Sequence, residues 1–153
     1  MNADAQLLET HYTWLIRFLK DYKTSQESNT PEVFNQQYLS DYEPEYRVTL
    51  SHGYESVNVN IAFNGPNVWL DTNKNWHEFN TAWMSEPLSD ALPDCLVNYI
   101  DNYYAERLYN YFGIEAKNIG SIEYDSEDVQ HSIDLYEESL ARVVPETQQT
   151  MWT

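Results

Sequence analysis

The chain reads as α+β: a three-stranded antiparallel sheet, with a candidate fourth strand, covered by four to five helices in a single domain. Three observations predict this. The stretches "EYRVTLSH" and "SVNVNIAF" alternate apolar and polar residues with the period of two that a half-buried strand requires. Three longer stretches instead carry apolar residues at helical spacing. Finally, 153 residues, 42% of them hydrophobic and 15% aromatic, suffice for one ordinary core and argue against disorder.

The first helix is predicted over Ala3–Lys23. Leu8, Tyr12, Leu15, Leu19 and Tyr22 form one stripe, widened by Leu7, Trp14 and Phe18. The connector "TSQESNTPE" is polar, and Thr30 before Pro31 makes an N-cap and first-turn pair for a short helix to about Leu39. "SDYEPEY" returns the chain to extended form. In the first strand Tyr46, Val48 and Leu50 alternate with Arg47, Thr49 and Ser51. In the second, Val57, Val59, Ile61 and Phe63 alternate with Ser56, Asn58, Asn60 and Ala62. "HGYE" and "NGP" supply turns, and "NVWLD" closes a meander whose apolar face needs helices over it.

"NKNWHEFNTAW" is predicted as a short helix, with Trp76, Phe79 and Trp83 at i, i+3, i+7, ending before Pro87. A long helix follows from about Asp90 to Phe112, with Leu92, Leu96, Tyr99, Ile100 and Tyr103 inward. Pro93 is tolerable in its first turn, and Gly113 stops it. "NIGSIEY" is the candidate fourth strand. Ser126 caps a last helix to about Val143, so residues 1–144 make the domain and the tail 145–153 is expected to fray.

Charge is the extreme feature. There are 25 acids against 8 bases, a formal charge of −17. The imbalance repels nucleic acid and anionic membranes and favours a cationic partner. It concentrates late in the chain: residues 1–85 carry 11 acids and 5 bases, residues 86–153 carry 14 and 3. Cys95 is the only cysteine, which excludes a disulfide framework or a cysteine-based zinc site and fits a reducing cytosol. The N-terminal stretch has acids before its first base and polar breaks in its apolar run. It reads neither as a signal peptide nor as a membrane span.

Apparent chemical motifs fail on inspection. "DTNKNWHEFNTA" begins like a calcium loop, but Trp76 stands where the turn glycine belongs and Ala82 where the bidentate glutamate belongs. His77 and Glu78 open a zincin pattern that Thr81 breaks. His11, His52, His77 and His131 show no ligand spacing. There is no GxSxG and no phosphate-binding glycine loop, with four glycines in all. The expectation is no metal, no cofactor and no catalysis. Trp69, Trp76 and Trp83 recur every seven residues across a strand and a helix, which suits core packing. The polar side of the sheet, with Arg47, Thr49, Asn58 and Asn60, suits solvent.

Seven carboxylates and no base lie between Glu123 and Glu138. At about 100° per residue, Val129, Ile133, Tyr136, Leu140 and Val143 share one side of the last helix. Glu127, Asp134 and Glu138 share the opposite side, Glu137 flanks them, and Glu123 and Asp125 precede them. Asp90, Asp94 and Asp101 lie likewise opposite the Leu92, Leu96 and Tyr103 stripe of the long helix. Acids in first turns meet the helix dipole favourably, and a charged outer face is ordinarily just solvated. Solvation, however, needs charge and not one sign, and like charges at i, i+4 cost a few tenths of a kcal/mol each. Rows of carboxylates about 5–6 Å apart are spaced much as phosphates are along a nucleic-acid strand.

These features together resemble the small acidic inhibitors made by phages and plasmids, the anti-CRISPR and antirestriction proteins that imitate nucleic acid. The resemblance implies a non-catalytic inhibitor in the bacterial cytoplasm. It would occupy the nucleic-acid groove of a basic protein through Asp90, Asp94, Asp101, Glu123, Asp125, Glu127, Asp134, Glu137 and Glu138. Two other classes share the composition: an immunity protein or antitoxin neutralising a cationic nuclease toxin, and an acidic accessory protein whose charge serves solubility.

Overall fold

Strand alternation runs further along the chain than the aromatic spacing suggests. The computed structural model describes residues 3–62, 67–82 and 84–152, with the side chains of 3, 62 and 146–152 left aside. Its elements are α1 (Ala3–Glu27), α2 (Pro31–Tyr38), β1 (Pro44–Thr49), β2 (Gly53–Ala62), β3 (Asn67–Asp71), β4 (Trp76–Asn80), β5 (Leu88–Ala91), α3 (Asp94–Phe112) and α4 (Ser126–Trp152). The strands form one antiparallel meander in the order β1-β2-β3-β4-β5. Among the described residues the expected three or four strands are therefore five, with four helices, while the α+β class stands.

Two segments account for the difference. "WHEFN" is strand β4: His77 and Phe79 alternate inward, paired with Leu70 and Val68 of β3, while Trp76, Glu78 and Asn80 are half-buried. The turn before it decides the matter. Asn75 takes a left-handed φ of 55°, and the Asn73 N–H donates to Asp71 Oδ1 at 2.9 Å, so the chain reverses into a hairpin. Asp90 lies in β5, and α3 begins only at Asp94 with Pro93 as its N-cap. "NIGSIEY" forms no strand, and the nearest pairing is a lone bridge between Gly53 and Ala116. Phe63, the "NGP" turn and Trp83 lie outside the described residues, as does Thr153.

The chain divides into two compact units, Met1–Phe34 with Ser126–Thr153, and Asn35–Asp125. In the first, α1 packs on α4. Leu15, Phe18, Leu19 and Tyr22 of α1 are buried, as are Val129, Ile133, Tyr136 and Val143 of α4. Tyr12 stacks on Tyr136 with ring centroids 6.1 Å apart, and Phe34 packs against Phe18 and Tyr22. α1 outlasts its predicted end because Asn29 accepts a φ of 55°, which lets the Thr30 N–H reach the Ser25 carbonyl at 2.8 Å. α4 likewise continues past Val143, with Pro145 inside it.

In the second unit Val57, Val59, Ile61, Val68, Leu70 and Phe79 share the inner face of the sheet, where α3 packs through Leu96, Ile100, Tyr104 and Leu108. A bulge interrupts the β1–β2 ladder: Arg47 pairs with Ser56 and Val48 with Tyr54, leaving Glu55 as the extra residue. It reverses the alternation of β2, so Tyr54 and Val57, three apart, both point inward and are buried. Gly113 ends α3 in the left-handed conformation, its N–H bonded to the Tyr109 carbonyl at 2.8 Å.

Candidate functional site

The outer face of α4 carries the one-signed surface. Its buried side runs Val129, Ile133, Tyr136 and Val143, with Leu140 half-buried, and Glu127, Asp134, Glu137 and Glu138 are exposed. Local partners hold part of the row. Gln130 donates to Asp134 at 2.8 Å, Arg142 pairs with Glu138 at 2.7 Å, and Lys20 pairs with Glu137 at 3.2 Å. Such exposed pairs are worth about 0–1 kcal/mol, so a stronger partner can exchange them at little cost. Glu123 and Asp125 are exposed in the coil that ends the second unit, not on the helix.

The aspartates around α3 do not form a row. Asp90 is in β5 and half-buried, and its carbonyl is 3.1 Å from His77 Nδ1. Asp94 is exposed in the first turn of α3. Asp101 faces the sheet, where the Tyr54 hydroxyl donates to its Oδ1 at 2.5 Å. Thr72, whose Oγ1 accepts from the Val57 N–H at 2.9 Å, bonds into the same group. Burial raises the Asp101 carboxyl above its ordinary value, while the bonds from Tyr54 and Thr72 pull it back. Burial, and then the Asp101 charge, push the Tyr54 phenol far up, so it stays protonated and donating.

Aromatic rings surround this network. Tyr46 meets Tyr54 and Tyr104 edge-on at 6.2 and 6.3 Å, and the Tyr104 hydroxyl donates to the Leu39 carbonyl at 2.8 Å. Arg107 donates to the Tyr103 hydroxyl at 2.9 Å. Sequence reading missed the network because Tyr54 stands in what reads as a turn, and only the bulge brings it to Asp101.

On the outer face of the sheet, Asn58 and Asn60 lie among Trp69, Trp76 and Glu78, all half-buried, and Lys74 Nζ sits 5.4 Å from the centre of the Trp76 ring. Among the described residues no group of three or more His, Cys, Asp or Glu is placed to hold a metal ion. No helix among them is long and apolar enough to cross a membrane. No protein-family model, curated protein or solved structure matches the chain.

Proposed function

We propose that the protein is a non-catalytic acidic inhibitor that docks on the nucleic-acid-binding surface of a basic protein, such as a nuclease or a defence complex. One observation carries this reading. α4 buries its apolar stripe and holds Glu127, Asp134, Glu137 and Glu138 outward, the last three within about one turn and Glu127 two turns before Asp134, as an extended array of negative charge. Carboxylates at this spacing can meet Lys and Arg side chains arranged to receive phosphates. The reading places the protein in the cytoplasm of a bacterial host, with a basic protein as its partner and no nucleic acid bound directly.

Competition tests it. Labelled duplex DNA or guide RNA is bound to purified restriction enzymes, CRISPR effector complexes and cationic nuclease toxins, and the protein is titrated in. Displacement from one of them, weakening as salt rises, is the expected result. Direct binding of the labelled nucleic acid by the protein at physiological salt would overturn the reading. So would displacement that survives unchanged when Glu127, Asp134 and Glu138 are all replaced by Gln.

A further inference from the structure

The inner face of the second unit runs on past its cover. On α3, Tyr104, Leu108 and Tyr111 follow one another at i, i+4 and i+7, with Phe112 beside them. Leu108 is 3% exposed, but Tyr111 is 73% and Phe112 71% exposed. β1 repeats the pattern: Tyr46 is half-buried, whereas Val48, two residues on and on the same side, is exposed, and Leu50 at the hairpin tip is fully so.

The backbone joins these two ends. The Tyr54 N–H donates to the Glu115 carbonyl at 3.0 Å, and the Lys117 N–H to the His52 carbonyl at 3.2 Å. Between them Gly53, at φ +70°, comes so close that an added Cβ would stand 1.8 Å from the Glu115 oxygen. The hairpin tip and the end of α3 thus present Val48, Leu50, Tyr111 and Phe112 at one end of the unit, on side chains that by position belong to a core.

Charge selects what covers them. Residues 35–125 carry 14 acids and 4 bases, so a second copy of the chain is repelled. α3 has no basic residue in its last turn, which leaves its negative pole unmatched. Glu45, Glu55, Glu106 and Glu115 lie around the surface, against Arg47, Arg107 and Lys117, and Arg107 is engaged with the Tyr103 hydroxyl at 2.9 Å. We propose that this surface is a docking site for a basic segment of a partner protein, with apolar or aromatic side chains covering Leu50, Tyr111 and Phe112 and Lys or Arg at its margin. The site is built from residues of the second unit alone, and the proposal does not depend on the role of α4.

The test maps the full-length, isotope-labelled protein by NMR while a short amphipathic peptide of Lys, Leu and Trp is added. Shifts confined to residues 48–52 and 109–117 are expected. Replacing Leu50 and Phe112 together by Ser should weaken the peptide about tenfold or more, the scale of losing central apolar contacts. A peptide with Glu in place of Lys should not bind. The proposal fails if the shifts fall elsewhere, on α4 for example, or if the acidic peptide binds equally well. It also fails if the double variant binds like wild type, or if sedimentation shows a wild-type dimer that the variant lacks. The mapping needs only the wild-type chain, so a folding defect in the variant cannot mask the answer, and because it never uses the α4 variants, its failure is distinct from theirs.

Discussion

Helices α3 and α4 look alike in sequence and differ in what their acids do. By residue spacing each is expected to carry carboxylates opposite an apolar stripe. On α4 the opposite side is outside: Glu127, Asp134 and Glu138 are exposed, with Gln130 bonded to Asp134 and Arg142 to Glu138 one turn away. On α3 the carboxylate of Asp101 is turned onto the sheet and held by Tyr54 and Thr72. Periodicity says which residues share a side of a helix. It does not say how wide the buried side is, and that depends on what the neighbouring element offers.

The comparison can be sharpened first at the two cores. Tyr136→Ala removes a buried ring that stacks on Tyr12, and should destabilise the protein by about 3–5 kcal/mol in chemical denaturation. A loss under about 1 kcal/mol would mean that α4 is not held by its inner stripe. For α3 the matching change is made on β2: Tyr54→Phe leaves the Asp101 carboxylate without its phenolic donor. A cost of about 1.5–3 kcal/mol is expected, as for hydrogen bonds to charged groups. No change would show that Asp101 is solvated and that the two helices are alike after all.

Acidity separates them further. The Asp101 carboxyl is raised by burial, so on acidification the folded chain takes up this proton before the unfolded chain does. Its contribution to stability therefore grows as pH falls from its folded value toward the ordinary carboxylate value, and is lost again as pH rises. Asp101→Asn should abolish that component, visible as a wild-type-minus-variant difference that varies with pH in this window. A difference flat with pH would contradict the burial of this group.

Smaller effects belong to α4. Replacing Glu127, Asp134 and Glu138 by Gln should leave the circular dichroism spectrum intact. It should shift stability by no more than about 1 kcal/mol, since like-charge repulsion and the exposed Arg142 pair nearly offset. A large loss of helix would mean that these carboxylates are structural. Smallest of all, melting temperature should rise modestly from very low salt to about 0.1 M, where the screening length is about 10 Å. A salt-independent value would show that the charge of −17 hardly strains the fold.

What could be read without coordinates was local. The α4 stripe, the Gly113 stop and the alternation of β2 beyond Val57 all follow from residue period and the φ needs of particular residues. β4 was misread because Trp76 and Phe79 also fit helical spacing over so few residues. Asn75, the residue that turns the chain, carries no marker as strong as glycine. The helix start at Asp90 failed because Pro93 serves as N-cap, which ends the extended β5 before it rather than sitting inside a first turn. The Tyr54–Asp101 contact joins residues 47 apart and depends on a bulge, and nothing in a residue period announces either.

The bulge at Glu55 lets β2 carry one residue of extra length at no cost to the interior. Tyr54 and Val57 stand three apart and would face opposite sides of a regular strand, and the extra residue returns both to the core. Glu55 itself is half-exposed and bonds at the hairpin tip, to Thr49 and His52. A chain lacking Glu55 would set Tyr54 two residues before Val57 and still opposite Val48, so plain alternation would keep it inward and within reach of Asp101. Its near-ultraviolet tyrosine ellipticity should therefore match that of the full chain. At this position the chain tolerates a change of count as well as a change of letter.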